Sequence, residues 1–164
     1  RKSGSERSDR LRGEIMSRAQ LRSTKSFWNY PCSHRQWRHA GHCAFIHGYS
    51  RSFHFTFEAS ELDSFGFVVD FGAFKKFRAK LDEWFDHTLL LNEDDPLLGE
   101  FRALEAKGAC KITVLPNVGM EGTAHFLYEQ MNEFLSVETA GRATCVKVEV
   151  RENDKNSGIY MDWR

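Results

Sequence analysis

An excess of charge of either sign is the first thing this sequence lacks. Lys plus Arg number 23 and Asp plus Glu number 23, a formal net charge of zero. Proteins that hold nucleic acid by its phosphates carry a basic surplus, so no nucleic-acid partner is expected. Also missing is any run of the roughly 18 to 20 apolar residues that a membrane helix requires. The N-terminal stretch has no apolar segment of the secretory type, so the expected setting is the cytoplasm with no membrane partner. The four cysteines, Cys32, Cys43, Cys110 and Cys145, contain no Cys-x-x-Cys pair. That argues against a disulfide framework or an all-cysteine zinc knuckle and for free thiols. No internal repeat or low-complexity tract is found either.

What is present is a chain of 164 residues, 41% hydrophobic, with fourteen phenylalanines. Such a chain can bury one sizeable core. Arg1 through Ile15 are dense in charge, lack periodicity and precede Met16. Residues 1–22 are therefore expected to be a disordered tail or sequence upstream of the true start, and 23–164 a single domain. A polar-aromatic run from Ser23 to Tyr30 reads as a strand leading to His34. From Ser50 to Ala59, Phe53, Phe55 and Phe57 alternate with His54, Thr56 and Glu58, a half-buried strand. His47 and Tyr49 share the parity of those phenylalanines. Asp70 is placed to cap a helix running to about Phe85, with Phe74, Phe77 and Leu81 on one face. Residues 92–119 read as a long connection with a short strand over Lys111 to Leu115. A second helix, Thr123 to about Leu135, puts Ala124, Leu127, Met131 and Leu135 on one face. Thr144, Val146, Val148 and Val150 alternate as a strand, and Ile159 to Met161 return as the last one. The order predicts an α+β layer, an antiparallel four-stranded sheet with two helices on one face. Its two open edges call for closure between copies.

Taken singly, a buried cysteine or a histidine on an apolar face is more often structural than chemical. Here several such residues fall in order on strand ends and loops. Tyr30-Pro31-Cys32-Ser33-His34-Arg35 is followed by Cys43-Ala44-Phe45-Ile46-His47-Gly48-Tyr49. Gly66-Phe67-Val68-Val69-Asp70-Phe71 comes next, then Asp86-His87 with Leu91-Asn92, and finally Val150-Arg151-Glu152 with Ile159-Tyr160. The whole order, from Ser23 to Trp163, resembles the pterin synthase family, the 6-pyruvoyl- and 6-carboxy-tetrahydropterin synthases.

The resemblance implies the tunnelling fold (T-fold), with strands joined between subunits into a barrel and a homohexamer as the assembly. It implies a lyase acting on 7,8-dihydroneopterin triphosphate with loss of triphosphate. The favoured product is 6-carboxy-5,6,7,8-tetrahydropterin on the 7-deazaguanine (queuosine) route; the alternatives are the 6-pyruvoyl product or a pterin-binding oligomer without turnover. It further implies a Zn2+ cofactor held by His34, His47 and the residue at Tyr49, catalysis by Cys43, Asp86 and His87, and substrate contacts from Glu152 and Thr123. A catalytic zinc takes about three protein ligands and keeps an open position. A carboxylate such as Glu152 can accept two hydrogen bonds from adjacent N–H groups of a pterin. Arg35, Arg38 and Arg51 are candidates for a triphosphate or for surface ion pairs.

Tyr49 stands where relatives have a third histidine, and phenols ligate zinc rarely because they are costly to ionise at neutral pH. Tyr49 itself, His42, His39 or water could complete the shell, or the metal could be lost. The Arg35 to His39 cluster also offers a weaker nucleic-acid reading, which the zero net charge opposes.

Overall fold

The computed structural model describes residues 20–162, and its centre is the alternating strand. In β2, His47–Ala59, the rings of Phe53, Phe55 and Phe57 are fully buried. They meet the apolar face of helix α1, Phe74–Phe85, whose Phe74, Phe77, Leu81 and Phe85 recur at helical spacing. Ring centroids lie 4.7 Å apart for Phe53 and Phe85, 5.8 Å for Phe55 and Phe77, and 5.0 Å for Phe57 and Phe74. Each buried phenylalanine contributes about 1.5–3 kcal/mol. Asp70 caps as expected, its carboxylate accepting from Gly72 N at 2.8 Å, although the turn it caps is a short 3-10 segment, Phe71–Ala73, leading into α1.

Among the described residues six strands form the sheet, in the order β4-β3-β1-β2-β5-β6. They are β1, Leu21–His34; β2; β3, Thr88–Asn92; β4, Ile112–Leu115; β5, Ala143–Arg151; and β6, Ser157–Met161. This corrects the four-stranded antiparallel expectation: β3 pairs parallel to β1, and β4 parallel to β3. The β4 strand falls where a short one was expected, but β3 was not anticipated. All five of its residues are buried; Leu90 points into the main core while Leu89 and Leu91 join a second cluster with Ile112. A strand covered on both faces shows no alternation to read. That second cover is helix α2, Leu98–Ala106, which supplies Leu98 and Phe101. Residues 92–119 are thus not a plain connection, and the described residues hold three helices rather than two.

Helix α3, Met120–Glu138, buries Ala124, Leu127, Met131 and Leu135 as expected. It comes so close to β6 that a Cβ on Gly158 would lie 2.5 Å from Glu121 N. In β5 the expected parity fails: Cys145, Val148 and Val150 are buried but Val146 is not. A register shift against β2 explains this, with Phe57 opposite Cys145 and Thr56 opposite Lys147. An extra residue there flips the alternation. The side chain of Asn132 satisfies the distorted backbone, donating to Cys145 O and accepting from Cys145 N.

β1 starts at Leu21 and so includes the last two residues of the expected 1–22 tail; residues 1–19 of that tail lie outside the described range. All four cysteines are free thiols.

Candidate functional site

Antiparallel pairing of β1 and β2 sets His34 opposite His47, so imidazoles from two separate motifs meet at one end of the sheet, ring centroids 4.4 Å apart. His47, Tyr49, Arg51 and Phe53 follow at every second residue of β2, which gives them one face. β5 ends with Arg151 opposite Ser52, which leaves Glu152 beside Arg51. One nitrogen each of His34 and His47 and a carboxylate oxygen of Glu152 all lie within 4.8 Å of one another. Neither His39 nor His42 belongs to this group. Tyr49 shares the face, with its ring 6.0 Å from that of His47, and is 42% exposed.

The donor chemistry fits a divalent cation. His47 Nδ1 lies 2.8 Å from Phe45 O and donates to it, which leaves Nε2 as the ring nitrogen available to a metal. His34 is buried, and its Nδ1 has no hydrogen-bond partner. A buried polar atom that the chain leaves unsatisfied is costly unless a ligand from outside uses it. Burial, then the charge of Arg51, then His47, push the His34 imidazole down to about 3, so it is neutral at pH 7. Two imidazoles and a carboxylate are a donor set zinc accepts.

That depression predicts an acid-sensitive fold in metal-free protein. Below about pH 6.5 the unfolded chain binds a proton at this residue and the folded chain does not. The associated stability is therefore present above 6.5 and lost as pH falls toward 3, by up to about 1.4 kcal/mol per pH unit. Urea unfolding of metal-free protein at pH 7 and pH 5 should show the parent losing more stability than His34→Gln. Equal losses would count against it.

Arg51 is the functional-site residue whose role the sequence hid. It is 1% exposed, donating to Thr123 Oγ1 at 3.0 Å and to Val118 O at 3.0 Å. Burial depresses its pKa, while Cys32 and Glu152 oppose the shift. Thr123, expected at the substrate, is fully buried with its hydroxyl engaged by Arg51. Arg35 and Arg38 pair with Asp95 and Asp94. All three arginines are therefore engaged within the chain, and the Arg35 to His39 cluster is neutralised by acids.

Asp86 and His87 are adjacent in sequence, and their side chains meet because His87 adopts a left-handed φ of 53° at the exit of α1. His87 Nδ1 is 2.8 Å from Asp86 Oδ1. His87 is 81% exposed along its side chain and lines a cleft of about 500 Å3 with Pro31, Ser33, Tyr49 and Cys110. Cys43 does not line that cleft. It sits half-buried in a 3-10 turn, His42–Ala44, within the loop joining β1 to β2.

The family model described as 6-pyruvoyl tetrahydropterin synthase matches residues 24–162. The 6-carboxy-5,6,7,8-tetrahydropterin synthase of Rickettsia conorii is 36% identical over 72 residues, 43% of this chain and 52% of that protein. The enzyme of the same name from Bacillus subtilis is 28% identical over 121 residues, 74% of this chain and 71% of that one. The matched stretch thus spans about half the length of the Rickettsia relative. Among solved structures, an uncharacterized Wolinella succinogenes protein superposes with TM-score 0.73 at 22% identity, covering 88% of this chain and 99% of that one. The 6-pyruvoyl tetrahydropterin synthase of Plasmodium vivax does so with TM-score 0.63 at 13% identity, covering 87% and 98%. At these identities the structural likeness speaks for the fold alone.

Proposed function

The chain belongs to the 6-pyruvoyl tetrahydropterin synthase family, and from that premise we propose that it is a metal-dependent lyase. Its substrate is 7,8-dihydroneopterin triphosphate, from which, with uptake of one water, it releases triphosphate and the two outer side-chain carbons as acetaldehyde to form 6-carboxy-5,6,7,8-tetrahydropterin on the queuosine route. The observation that carries this reading is the convergence of His34, His47 and Glu152, with Cys43 on the loop between the two histidines. The names of the curated relatives favour the carboxy over the pyruvoyl product.

The metal in this reading is zinc, with His34 and His47 as donors. When bound, it polarises the hydroxyls of the substrate's side chain and acidifies the neighbouring C–H groups. Cys43 is the base that takes such a proton. Asp86 holds one tautomer of His87, which relays protons; its exposure suits it to serve a thiol on a neighbouring subunit. Glu152 has two claims on it, the metal and the N–H edge of the pterin. Tyr49 remains the alternative third ligand.

The working unit in this reading is a closed homohexamer. β1 pairs with β3 only through Cys32 to His34, so most of one edge of β1 is unpaired among the described residues, as is the outer edge of β6. Leu21 and Trp28 on the first edge and Ile159 on the second are at least 40% exposed. Long open edges with apolar side chains are aggregation-prone unless a second copy covers them.

Incubation with 7,8-dihydroneopterin triphosphate should release triphosphate and yield the 6-carboxy product, and the protein should sediment as one species of six chains. A 6-pyruvoyl product would reassign the reaction, binding without turnover would leave a pterin-binding oligomer, and a monomer at micromolar concentration would remove the barrel.

A further inference from the structure

The loop of residues 35–46 joins the two histidine strands and carries Cys43. It has little regular structure of its own beyond the 3-10 turn His42–Ala44. Its first four residues are nevertheless each gripped by the end of β3 or the turn that follows it. Arg35 Nε approaches Asp95 Oδ2 at 2.9 Å, a charge contact in which the Asp95 side chain is wholly buried, and the Arg35 guanidinium lies over the Phe101 ring. The side-chain carbonyl of Gln36 accepts from Asn92 Nδ2 at 3.2 Å. Trp37 Nε1 donates to Asp94 Oδ1 at 3.0 Å, and Arg38 pairs with the other oxygen of Asp94 while stacking over the Trp37 ring. These contacts hold the Asp94 carboxylate below the usual carboxylate range, so it stays charged at neutral pH. The grip reaches the thiol-bearing residue in one step, because Gln36 N donates to Cys43 O at 2.7 Å.

The anchor is rigid. β3 is buried along its whole length, and Asn92 at its end also accepts from Val118 N at 3.0 Å, while Val118 O accepts from Arg51. The same short strand follows Asp86-His87 directly in sequence. It therefore carries the acid-histidine pair at one end and the loop's anchor at the other.

We propose that Asp94 and Asp95 are positioning residues for Cys43: the acidic turn after β3 fixes the loop so that the thiol is held in register with the histidine pair. The proposal rests on the reading of Cys43 as the catalytic base. Misplacing a reacting group by about 1 Å costs on the order of 100-fold in rate, and two charged tethers on an otherwise irregular loop prevent such a shift.

The test compares Asp94→Ala, Asp94→Glu and Asp95→Asn with the parent. Four quantities are measured: kcat and KM on 7,8-dihydroneopterin triphosphate, bound zinc, and iodoacetamide alkylation of Cys43 relative to Cys110, the other half-buried thiol. Asp94→Ala and Asp95→Asn should lower kcat by about 100-fold with KM and zinc content near those of the parent. Cys43 should alkylate faster relative to Cys110, and Asp94→Glu should restore part of both. If Asp95→Asn does not fold, Asp94→Ala carries the test. Parent-like kcat together with a parent-like alkylation ratio would overturn the proposal. If instead Cys43→Ala keeps full turnover, the reading of Cys43 as the base fails, and the alkylation ratio alone still decides whether the acidic turn positions the loop.

Discussion

Cys43→Ala is expected to lower turnover of 7,8-dihydroneopterin triphosphate by about 10² to 10⁴-fold, the usual contribution of a positioned general base. Pterin and metal binding should persist. The thiol sits on a loop outside the sheet and outside the hydrophobic core, so its loss leaves no cavity of consequence. A group needed only in the transition state lowers kcat and kcat/KM together, and stopped-time product analysis with a separate pterin titration reads both. Full turnover in the variant would remove Cys43 from the chemistry. His87→Gln run beside it would then show whether the histidine acts alone.

Glu152→Gln should have the second-largest effect, and its pattern separates the two roles this residue can play. If Glu152 completes the His34 and His47 donor set, zinc affinity should fall by more than the roughly 10 to 100-fold that loss of a supporting partner costs, while Tyr49→Phe leaves it unchanged. If Glu152 grips the pterin instead, pterin binding to metal-free protein should weaken by about 2–5 kcal/mol, because an amide N–H then faces an N–H of the ligand. Zinc titration and pterin titration of metal-free protein measure the two separately. His34→Ala and His47→Ala should each release the metal. Unchanged stoichiometry in both would end the metal assignment, and loss of zinc in Tyr49→Phe with retention in Glu152→Gln would give the third position to the phenol.

Much of the frame was legible because local periodicity carried it. Phe53, Phe55 and Phe57 announced β2, Phe74, Phe77 and Leu81 announced α1, and Ala124, Leu127, Met131 and Leu135 announced α3, each by a spacing that buries one face. The same parity argument put His47 on the core side of β2. Where the pattern failed, a specific device had broken it. In β1 the register shifts between Phe27 and Tyr30 with Asn29 at φ 67°. In β5 the shift beside Val146 reverses the alternation, and in β3 both faces are buried, so there is none. Helix α2 begins without a side-chain cap and buries none of its residues fully, so its apolar face is weakly marked, although Gly108, at φ 77° just past Lys107, is a helix-stop signal.

The sequence by itself determined the α+β class, the absence of a charge excess and the identity of the chemical groups, because these follow from composition and from spacing along one strand or helix. Tertiary structure alone decided which of those groups meet. Glu152 reaches the two histidines only because β5 ends beside Arg51. Asp86 and His87 touch only through a left-handed backbone turn. Arg35 and Arg38 are spent on acids more than fifty residues away in the chain. Such pairings depend on strand order and register across the sheet, which local periodicity does not encode.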